Sequence, residues 1–279
     1  MTARVPHDPG PAFRALHRRG DPFVLANAWD VGSARIMAAL GAPAIGTSSA
    51  GYAATLGLPD FGPDAPGRDR MLAHVEDLVR ATPLPVSADL ADGYGEAPDA
   101  VAESVRLACE AGVAGISIED VDRTGLAYSA DLATERIRAA VAAVRAAPRD
   151  LVLVARADGL FARCYDLEEG LSRLRAFEAA GADCLYLPAP PDFESLARIC
   201  AGTALPVNAL VSGSFAQLPR TAFAEIGVAR LSLGSALARS VLGALVSTLG
   251  DIVAKGDFKR LSAALPQAEL ETLLARGTV

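Results

Sequence analysis

Short runs of apolar residues recur along the whole chain, separated by segments with the Ala, Leu, Arg and Glu content of amphipathic helices. The polar residues able to do chemistry stand mostly at the C-terminal ends of these runs. We predict that eight of the runs are β-strands, at residues 23–28, 44–47, 85–89, 115–119, 151–156, 184–188, 206–210 and 230–233. This alternation predicts an α/β fold, a (β/α)8 TIM-type barrel, in which the loops after the strands form the active site.

Length and charge restrict this picture further. The 279 residues fit one barrel domain over 1–279, with a C-terminal helical extension at about 236–279. The formal net charge of −7 argues against a nucleic-acid partner. Residues 1–10 lack an apolar signal core, and no uninterrupted apolar run reaches the ~20 residues of a membrane span. We therefore expect no membrane partner and a cytoplasmic protein, whose four cysteines are reduced.

The longest interval between strands lies between the second and the third. It holds Gly51-Tyr52 and then the proline- and glycine-rich segment 58–67. Proline and glycine at this density predict that no helix forms there. We expect a long ordered loop over the barrel mouth, where binding loops are common.

Carboxylates end two neighbouring strands. Asp89 ends the third strand, with Asp92 in the following glycine-rich turn, and Glu119 and Asp120 end the fourth. Taken alone, Asp89 could cap a turn and Asp92 could be solvated. Carboxylates that converge on one mouth repel each other unless a cation neutralises them, and oxygen ligands favour Mg²⁺, or Mn²⁺, over zinc.

Arg156 ends the fifth strand after four apolar residues. A buried arginine calls for an anion, so it either contacts a carboxylate or keto oxygen of a substrate or forms a structural salt bridge with Asp158 or Glu119. The turn 47–51 offers hydroxyl and backbone N–H groups that could hold a carboxylate, although such turns are often plain loops. His7, His17 and His74 do not stand at strand ends, which disfavours a histidine base.

At these residues the sequence resembles the isocitrate lyase and phosphoenolpyruvate mutase superfamily. The resemblance runs from about residue 23 to 239, and its motifs are specific only in combination. They are Gly46-Thr47-Ser48-Ser49-Ala50-Gly51, Leu56-Gly57-Leu58-Pro59-Asp60, Asp89 with Gly93-Tyr94-Gly95, Ile118-Glu119-Asp120, Ala155-Arg156-Ala157-Asp158 and Pro206-Val207-Asn208.

The resemblance implies a barrel whose last helix is exchanged between subunits, usually in a homotetramer, with Mg²⁺ and a 2-oxo acid bound. It implies that the metal is held by Asp89, with Asp60 and Glu119 adding ligands or holding metal-bound waters. It implies catalytic roles for Arg156 and Glu119. The residues implied in substrate binding are Ser48, Ser49, Ala50, Arg156 and Asn208.

Two departures from the family pattern affect the expected reaction. Ala91 stands where the family has a second aspartate, and Asp92 falls one residue late. Segment 120–129 contains neither the Lys-Lys/Arg-Cys-Gly-His loop of the lyases nor the Lys-Thr-Asn-Ser-like loop of the mutases. Cys164 could replace the missing acid, but a buried loop thiol without catalytic function is the favoured interpretation.

Decarboxylation needs fewer specialised groups than cleavage of a hydroxy acid, because CO2 leaves unaided and water can protonate the product. We therefore expect Mg²⁺-dependent C–C cleavage of a small 2-oxo dicarboxylic acid such as oxaloacetate. The alternatives are a phosphonopyruvate-type hydrolase or mutase and a 2-oxo acid binding protein without turnover. Segment 231–249 is predicted to form a strand, a turn and a helix. This helix is more apolar than a surface helix that buries only one face, which suits packing on another subunit in a homotetramer or homodimer.

Overall fold

The computed structural model describes residues 8–278, so His7 and most of the N-terminal segment considered above lie outside the described residues. Eight parallel strands close into a barrel in chain order, β1 to β8, with β8 paired to β1. They are β1 Phe23–Ala28, β2 Ile45–Thr47, β3 Val86–Asp89, β4 Gly115–Glu119, β5 Val152–Arg156, β6 Cys184–Tyr186, β7 Val207–Leu210 and β8 Arg230–Ser232. The predicted (β/α)8 barrel is confirmed.

Helices follow the strands around the barrel. They are α1 Gly10–Ala15, α2 Val31–Ala39, α3 Ser49–Thr55, α4 Arg68–Ala81, α5 Pro98–Ala111, α6 Ala130–Ala146, α7 Leu167–Ala180, α8 Phe193–Ala201, α9 Arg220–Glu225, α10 Ala236–Lys255 and α11 Gln267–Arg276. Two short 3-10 helices, Gly213–Gln217 and Lys259–Ala263, lie between them. The helices α5 and α7 end at Gly112 and Gly181, which adopt the left-handed conformation that glycine allows.

The interval between β2 and β3 contains a helix where the sequence predicted a loop. Gly51 and Tyr52 belong to α3, which starts because Ser48 caps it: the Gly51 N–H donates to Ser48 Oγ at 3.2 Å. The proline-rich segment 58–67 does remain a loop, and α4 begins directly after it. The loop that reaches the barrel mouth is therefore shorter than the whole interval.

Helix α1 closes the N-terminal end of the barrel. Phe13 is fully buried and packs with Phe23 and Leu25 in the barrel interior. A side chain at Gly115 would place its Cβ 2.6 Å from the Phe13 ring, so this position of β4 must stay without a side chain. The closed end leaves the C-terminal end of the strands as the place for a site.

Two buried histidines make the fold sensitive to acid. His17 follows α1, packs edge-on against Phe13 and has a pKa lowered to about 3, mainly by burial. His74 in α4 stacks on Tyr52 at a ring separation of 4.0 Å, and burial lowers its pKa to about 4. In both, Nε2 is buried, and no group within residues 8–278 forms a hydrogen bond with it.

We expect the protein to lose stability as the pH falls below 6.5. The unfolded chain takes up a proton on each histidine near the ordinary imidazole pKa of 6.5, whereas the folded chain resists protonation until about pH 4 at His74 and 3 at His17. Between pH 6.5 and 5 each histidine should therefore remove about 2 kcal/mol from the free energy of unfolding. Urea unfolding of the wild type and of His74→Phe at both pH values measures this. The wild type should lose more stability than His74→Phe, by the contribution of one histidine, and equal losses would show that His74 titrates normally in the folded state.

Helix α10 is almost wholly exposed. Ala238 is its buried residue, while Val246 and Val253 are 72% and 78% exposed. By length and apolar composition alone α10 could cross a membrane, which the sequence analysis did not anticipate; only 6% of its apolar window is buried. Beyond it, α11 returns to pack against α2 of the same chain.

Candidate active site

A cavity of about 200 Å³ opens at the C-terminal end of the barrel. Of the predicted site residues, Ser48, Ser49, Ala50, Asp60, Asp89, Glu119 and Arg156 all line it. The β2–α3 connection, the loop 58–67 and the ends of β3, β4 and β5 bring them together. The structure therefore brings these seven residues to one cavity, while their roles stay predictions.

Arg156 joins three carboxylates in this cavity. Its Nη1 lies 3.1 Å from Asp89 Oδ1 and 2.9 Å from Glu119 Oε1. Its Nη2 and Nε form a fork with Asp158, at 2.6 Å and 3.0 Å. The ring of Tyr186 lies under the guanidinium, 4.9 Å away. The salt bridges that the sequence left open are therefore present, and they involve both candidate partners and Asp89 as well.

The pKa values of the carboxylates show how much negative charge the cavity holds. Burial raises the pKa of Glu119 well above its usual value, against the lowering effect of Arg156. Burial also raises the pKa of Asp158, to about 6, and that of Asp60, where the charge of Asp89 adds to the effect. Of the arginines that line the cavity, Arg156 is the one in contact with these carboxylates, and its single charge does not offset theirs, so this part of the cavity electrostatically favours an additional cation.

The predicted metal ligands do not form a ready-made cluster. Among residues 8–278, no group of three or more His, Cys, Asp or Glu side chains is arranged to hold a metal ion. Glu119 and Asp89 are separated by the Nη1 of Arg156, which contacts both. Arg156 Nη1 thus lies between Asp89 and Glu119, and the expected roles of Asp60 and Glu119, as added ligands or as groups that hold metal-bound waters, stay predictions.

Asp89 and Asp60 both form hydrogen bonds with Ser49, Asp89 through the carboxylate oxygen that Arg156 does not contact. The backbone N–H of Ser49 donates to Asp89 Oδ2 at 3.3 Å. Burial raises the pKa of Asp60, and a hydrogen bond from the Ser49 side chain opposes this effect. These two carboxylates line the cavity and offer oxygen ligands only, which fits Mg²⁺, an ion that keeps several of its waters in proteins. The residues present thus fit a magnesium ion held by few direct ligands.

Asp92 is not solvated, contrary to the reading of this residue in isolation. It is buried, and its carboxylate accepts hydrogen bonds from the Tyr128 hydroxyl at 2.9 Å and from the Tyr94 N–H at 3.0 Å. Arg136 binds the carbonyl oxygens of Asp92 and Glu96 below it. Through these contacts, Asp92 stabilises the conformation of the turn after β3.

The segment after β4, where the lyases of the superfamily resemblance carry their catalytic loop, forms a small hairpin closed on itself. Val121 and Ala127 pair as antiparallel partners. We call residues 121–127 the β4 hairpin. Asp122 Oδ1 accepts from the N–H groups of Thr124 and Leu126, at 2.8 Å and 2.9 Å. Burial would raise the pKa of Asp122, but these hydrogen bonds outweigh it and lower the pKa, so the hairpin presents no obvious proton donor.

Cys164 is exposed, and the expectation of a buried thiol is wrong. It lies on the surface loop between β5 and α7, where its Sγ is 3.1 Å from the carbonyl oxygen of Gly125 in the β4 hairpin. It does not line the cavity described above. A role as the missing acid is therefore not supported by its position.

Asn208 is also placed differently from expectation. It is fully buried and does not line the cavity. Its Nδ2 donates to Ser232 Oγ at 2.8 Å, and its Oδ1 accepts from Arg230 Nε at 2.9 Å. Arg230 and Ser232, from β8, line the cavity instead. Sequence reasoning missed Arg230 because it begins its strand, and functional residues were sought only where strands end.

The fold and the site together define a (β/α)8-barrel protein with the polar cavity of an enzyme at the C-terminal end of its strands. The sequence profile of phosphoenolpyruvate phosphomutase matches residues 13–253. The chain belongs to this family, within the isocitrate lyase and phosphoenolpyruvate mutase superfamily that its motifs predict.

Relatives with a named activity include two lyases and a hydrolase. The chain is 33% identical to 2-methylisocitrate lyase of Salmonella typhimurium over 74% of this chain and 71% of the relative. It is 31% identical to oxaloacetate decarboxylase of Pseudomonas savastanoi pv. phaseolicola, over 78% and 75%. Among solved structures, oxaloacetate acetylhydrolase in complex with oxalate superposes with a TM-score of 0.84 at 27% identity, covering 96% of this chain and 94% of that one.

Proposed function

We propose that the protein is a Mg²⁺-dependent lyase that cleaves a C–C bond in a small 2-oxo dicarboxylic acid, with decarboxylation of oxaloacetate as the favoured reaction. The observation that carries the proposal is the arrangement of Arg156 among Asp89, Glu119 and Asp158, facing the Ser48–Ala50 connection across one small cavity. The relatives named as lyases support the reaction class.

Arg156 stabilises the negative charge that develops on the 2-oxo oxygen. A guanidinium has five N–H donors; three of them hydrogen-bond Asp158 and Asp89, and Nη1 also forms an ion pair with Glu119. The second N–H of Nη2 is available to the substrate. Because the carboxylates fix the guanidinium in place, little reorganisation is needed when charge appears on the oxygen.

The β2–α3 connection binds the carboxylate next to the 2-oxo group. Ser48, Ser49 and Ala50 line the cavity beside Asp89, and they supply hydroxyl and backbone groups at the start of α3. Magnesium or manganese, held by Asp89 and Asp60, would supply the Lewis acid that withdraws electrons from the 2-oxo group.

Decarboxylation is favoured because neither the β4 hairpin nor Cys164 supplies an acid to the cavity. The β4 hairpin is closed by Asp122, and Cys164 stands outside the cavity. Loss of CO2 needs no acid, and the resulting enolate can take its proton from water in the open cavity. Aldol-type cleavage of a hydroxy acid needs both a base and an acid.

A phosphonopyruvate-type hydrolase or mutase is the second candidate, favoured by the match to the phosphoenolpyruvate phosphomutase profile. The same carboxylate pocket and metal site would serve phosphonopyruvate. A 2-oxo acid binding protein without turnover is the third candidate, since it too would keep the pocket and dispense with a catalytic loop.

One set of incubations tests these candidates. The protein and Mg²⁺ are incubated in separate reactions with oxaloacetate, phosphonopyruvate or 2-methylisocitrate. The formation of CO2, phosphate, phosphoenolpyruvate and succinate is followed beside that of pyruvate. An EDTA-treated sample is the control for metal dependence. We expect CO2 and pyruvate from oxaloacetate above the uncatalysed rate, and only with the metal. Faster formation of phosphate, phosphoenolpyruvate or succinate would replace the proposal with another reaction. Binding in thermal-shift assays without any product would indicate a binding protein.

We also propose that copies of the chain associate through α10 and that the assembly is cytoplasmic. The exposed residues Val241, Leu245, Val246 and Val253 give α10 an apolar surface that folding of one chain does not cover. Val24, on the outer face of β1, is 36% exposed, so the helical layer leaves that part of the barrel open.

We expect light scattering to show a dimer or tetramer at micromolar concentration. Replacing Val246 by glutamate should shift the protein toward monomer, because a charge would be buried in the interface. The exposed change Glu271→Lys on α11 is the matched control and should leave the assembly intact. A wild-type monomer at this concentration would contradict the proposal.

A further inference from the structure

Arg230 is buried at the start of β8, with 4% of its surface exposed, and it lines the cavity. Its hydrogen bond is the one from Nε to Asn208 Oδ1, at 2.9 Å. Nη1 is buried without any hydrogen-bond partner, and within residues 8–278 no carboxylate lies within salt-bridge distance of the guanidinium. Among the described residues, the side chain is thus a buried cation with one hydrogen-bond acceptor, which is neutral.

The other two buried arginines, Arg136 and Arg173, have more hydrogen-bond acceptors among the described residues than Arg230 has. Arg173 meets the carboxylates of Asp120 and Glu169. Arg136 donates to three backbone carbonyl oxygens, those of Asp92, Gly95 and Glu96, although its Nε has no partner among the described residues. A buried guanidinium without an anion is costly, and a hydrophobic side chain of similar size would be less so. Packing alone does not explain an arginine at position 230.

The neighbours of Arg230 form a polar patch on the cavity wall. Ser232 Oγ accepts from Asn208 Nδ2, and Ser232 is also hydrogen-bonded to Tyr186. Both Tyr186 and Ser232 line the cavity. Burial lowers the pKa of Arg230, and the nearby charge of Arg156 lowers it further. All of these neighbours are neutral or positive apart from the more distant Asp89, so the patch can accept an anionic group.

We propose that Arg230 binds a carboxylate of the substrate, the one distant from the 2-oxo group, and thereby selects dicarboxylic over monocarboxylic acids. The inference rests on the proposed function for the position of the 2-oxo end, at Asp89 and Arg156. Arg156 contacts three carboxylates, whereas Arg230 has Nη1 without a partner among the described residues. The cavity volume of about 200 Å³ restricts the ligand to a small acid.

Binding of L-malate and L-lactate by calorimetry, in the presence of Mg²⁺, tests this selection. The two acids share the hydroxy acid end, and only malate carries the second carboxylate. We expect the wild type to bind malate at least tenfold more tightly than lactate. Arg230→Gln should lose this ratio while its affinity for lactate stays unchanged, and Arg230→Lys should retain part of it, since a charge remains.

The unfolding temperature of each ligand-free variant separates binding from a structural role. If Arg230 serves the ligand, Arg230→Gln should unfold at a temperature no lower than the wild type, because an unpaired buried charge is removed. Equal affinity of the wild type for the two acids, or a malate preference that survives in Arg230→Gln, overturns the inference. Because no turnover is measured, failure of oxaloacetate decarboxylation would leave this result intact.

Discussion

Replacing Arg156 by lysine is expected to lower turnover about a hundredfold or more. The guanidinium bridges Asp89, Glu119 and Asp158 at once, and its planar fork holds Asp158 through two nitrogen atoms. An ammonium group is a point charge with three donors and cannot reproduce this geometry. Losing one preorganised donor to developing negative charge costs roughly 3 kcal/mol, which is about a hundredfold in rate.

The measurement is the steady-state rate of oxaloacetate decarboxylation, with kcat and KM determined separately. Cys164→Ser is the matched control, because this thiol is exposed and outside the cavity, and it should retain wild-type activity. A decrease of less than tenfold for Arg156→Lys would reduce Arg156 to a structural salt bridge. Faster cleavage of 2-methylisocitrate than of oxaloacetate, lost in Cys164→Ser, would show that the thiol acts as the acid after all.

Asp89→Ala should abolish metal-dependent activity and weaken 2-oxo acid binding. Asp89 Oδ1 faces Arg156 and Oδ2 faces Ser49, so the residue links the arginine to the side where Asp60 could share a cation. Without Asp89, one carboxylate is left on that side, and Mg²⁺ loses its main ligand. Arg156 keeps Glu119 and Asp158 as partners, which should preserve the fold.

Thermal unfolding with Mg²⁺ and pyruvate, each alone and together, measures this loss. The wild type should be stabilised by the pair more than by either alone, and Asp89→Ala should not. Asp92→Asn is the matched control, since Asp92 hydrogen-bonds Tyr128 and Tyr94, and it should keep the joint stabilisation. Joint stabilisation that persists in Asp89→Ala would show that the metal binds elsewhere.

The barrel could be predicted from sequence because strand and helix patterns differ strongly along this chain. The bounds predicted for β1 and β4 agree with the structure at both ends. The predicted β6 extended to residue 188, whereas the observed strand ends at Tyr186. Pro188 has no N–H group to donate to a neighbouring strand. Helix α3 was not predicted because Gly51 was interpreted as a helix breaker. The N-terminal cap formed by Ser48 outweighs the weak helix propensity of this glycine.

Site residues that stand at the ends of strands could be predicted from the sequence. Those whose place in the site depends on the direction of a long side chain could not. Asp89, Glu119 and Arg156 stand at strand ends and meet in the cavity. Asn208 lies deeper in the wall, where its amide holds Arg230. Arg230 starts its strand, yet its side chain reaches the cavity, and no sequence pattern gives the direction of one long side chain.

The place where α10 begins has a consequence for working with this protein at low concentration. Gly234 and Ser235 line the cavity, and α10 starts at the next residue. A helix anchored on a second copy would fix these two residues, whereas a helix left in solvent would let them move. If α10 is such an anchor, specific activity should fall as the enzyme is diluted below its dissociation constant, and assays at nanomolar concentration would underestimate the rate of the intact assembly.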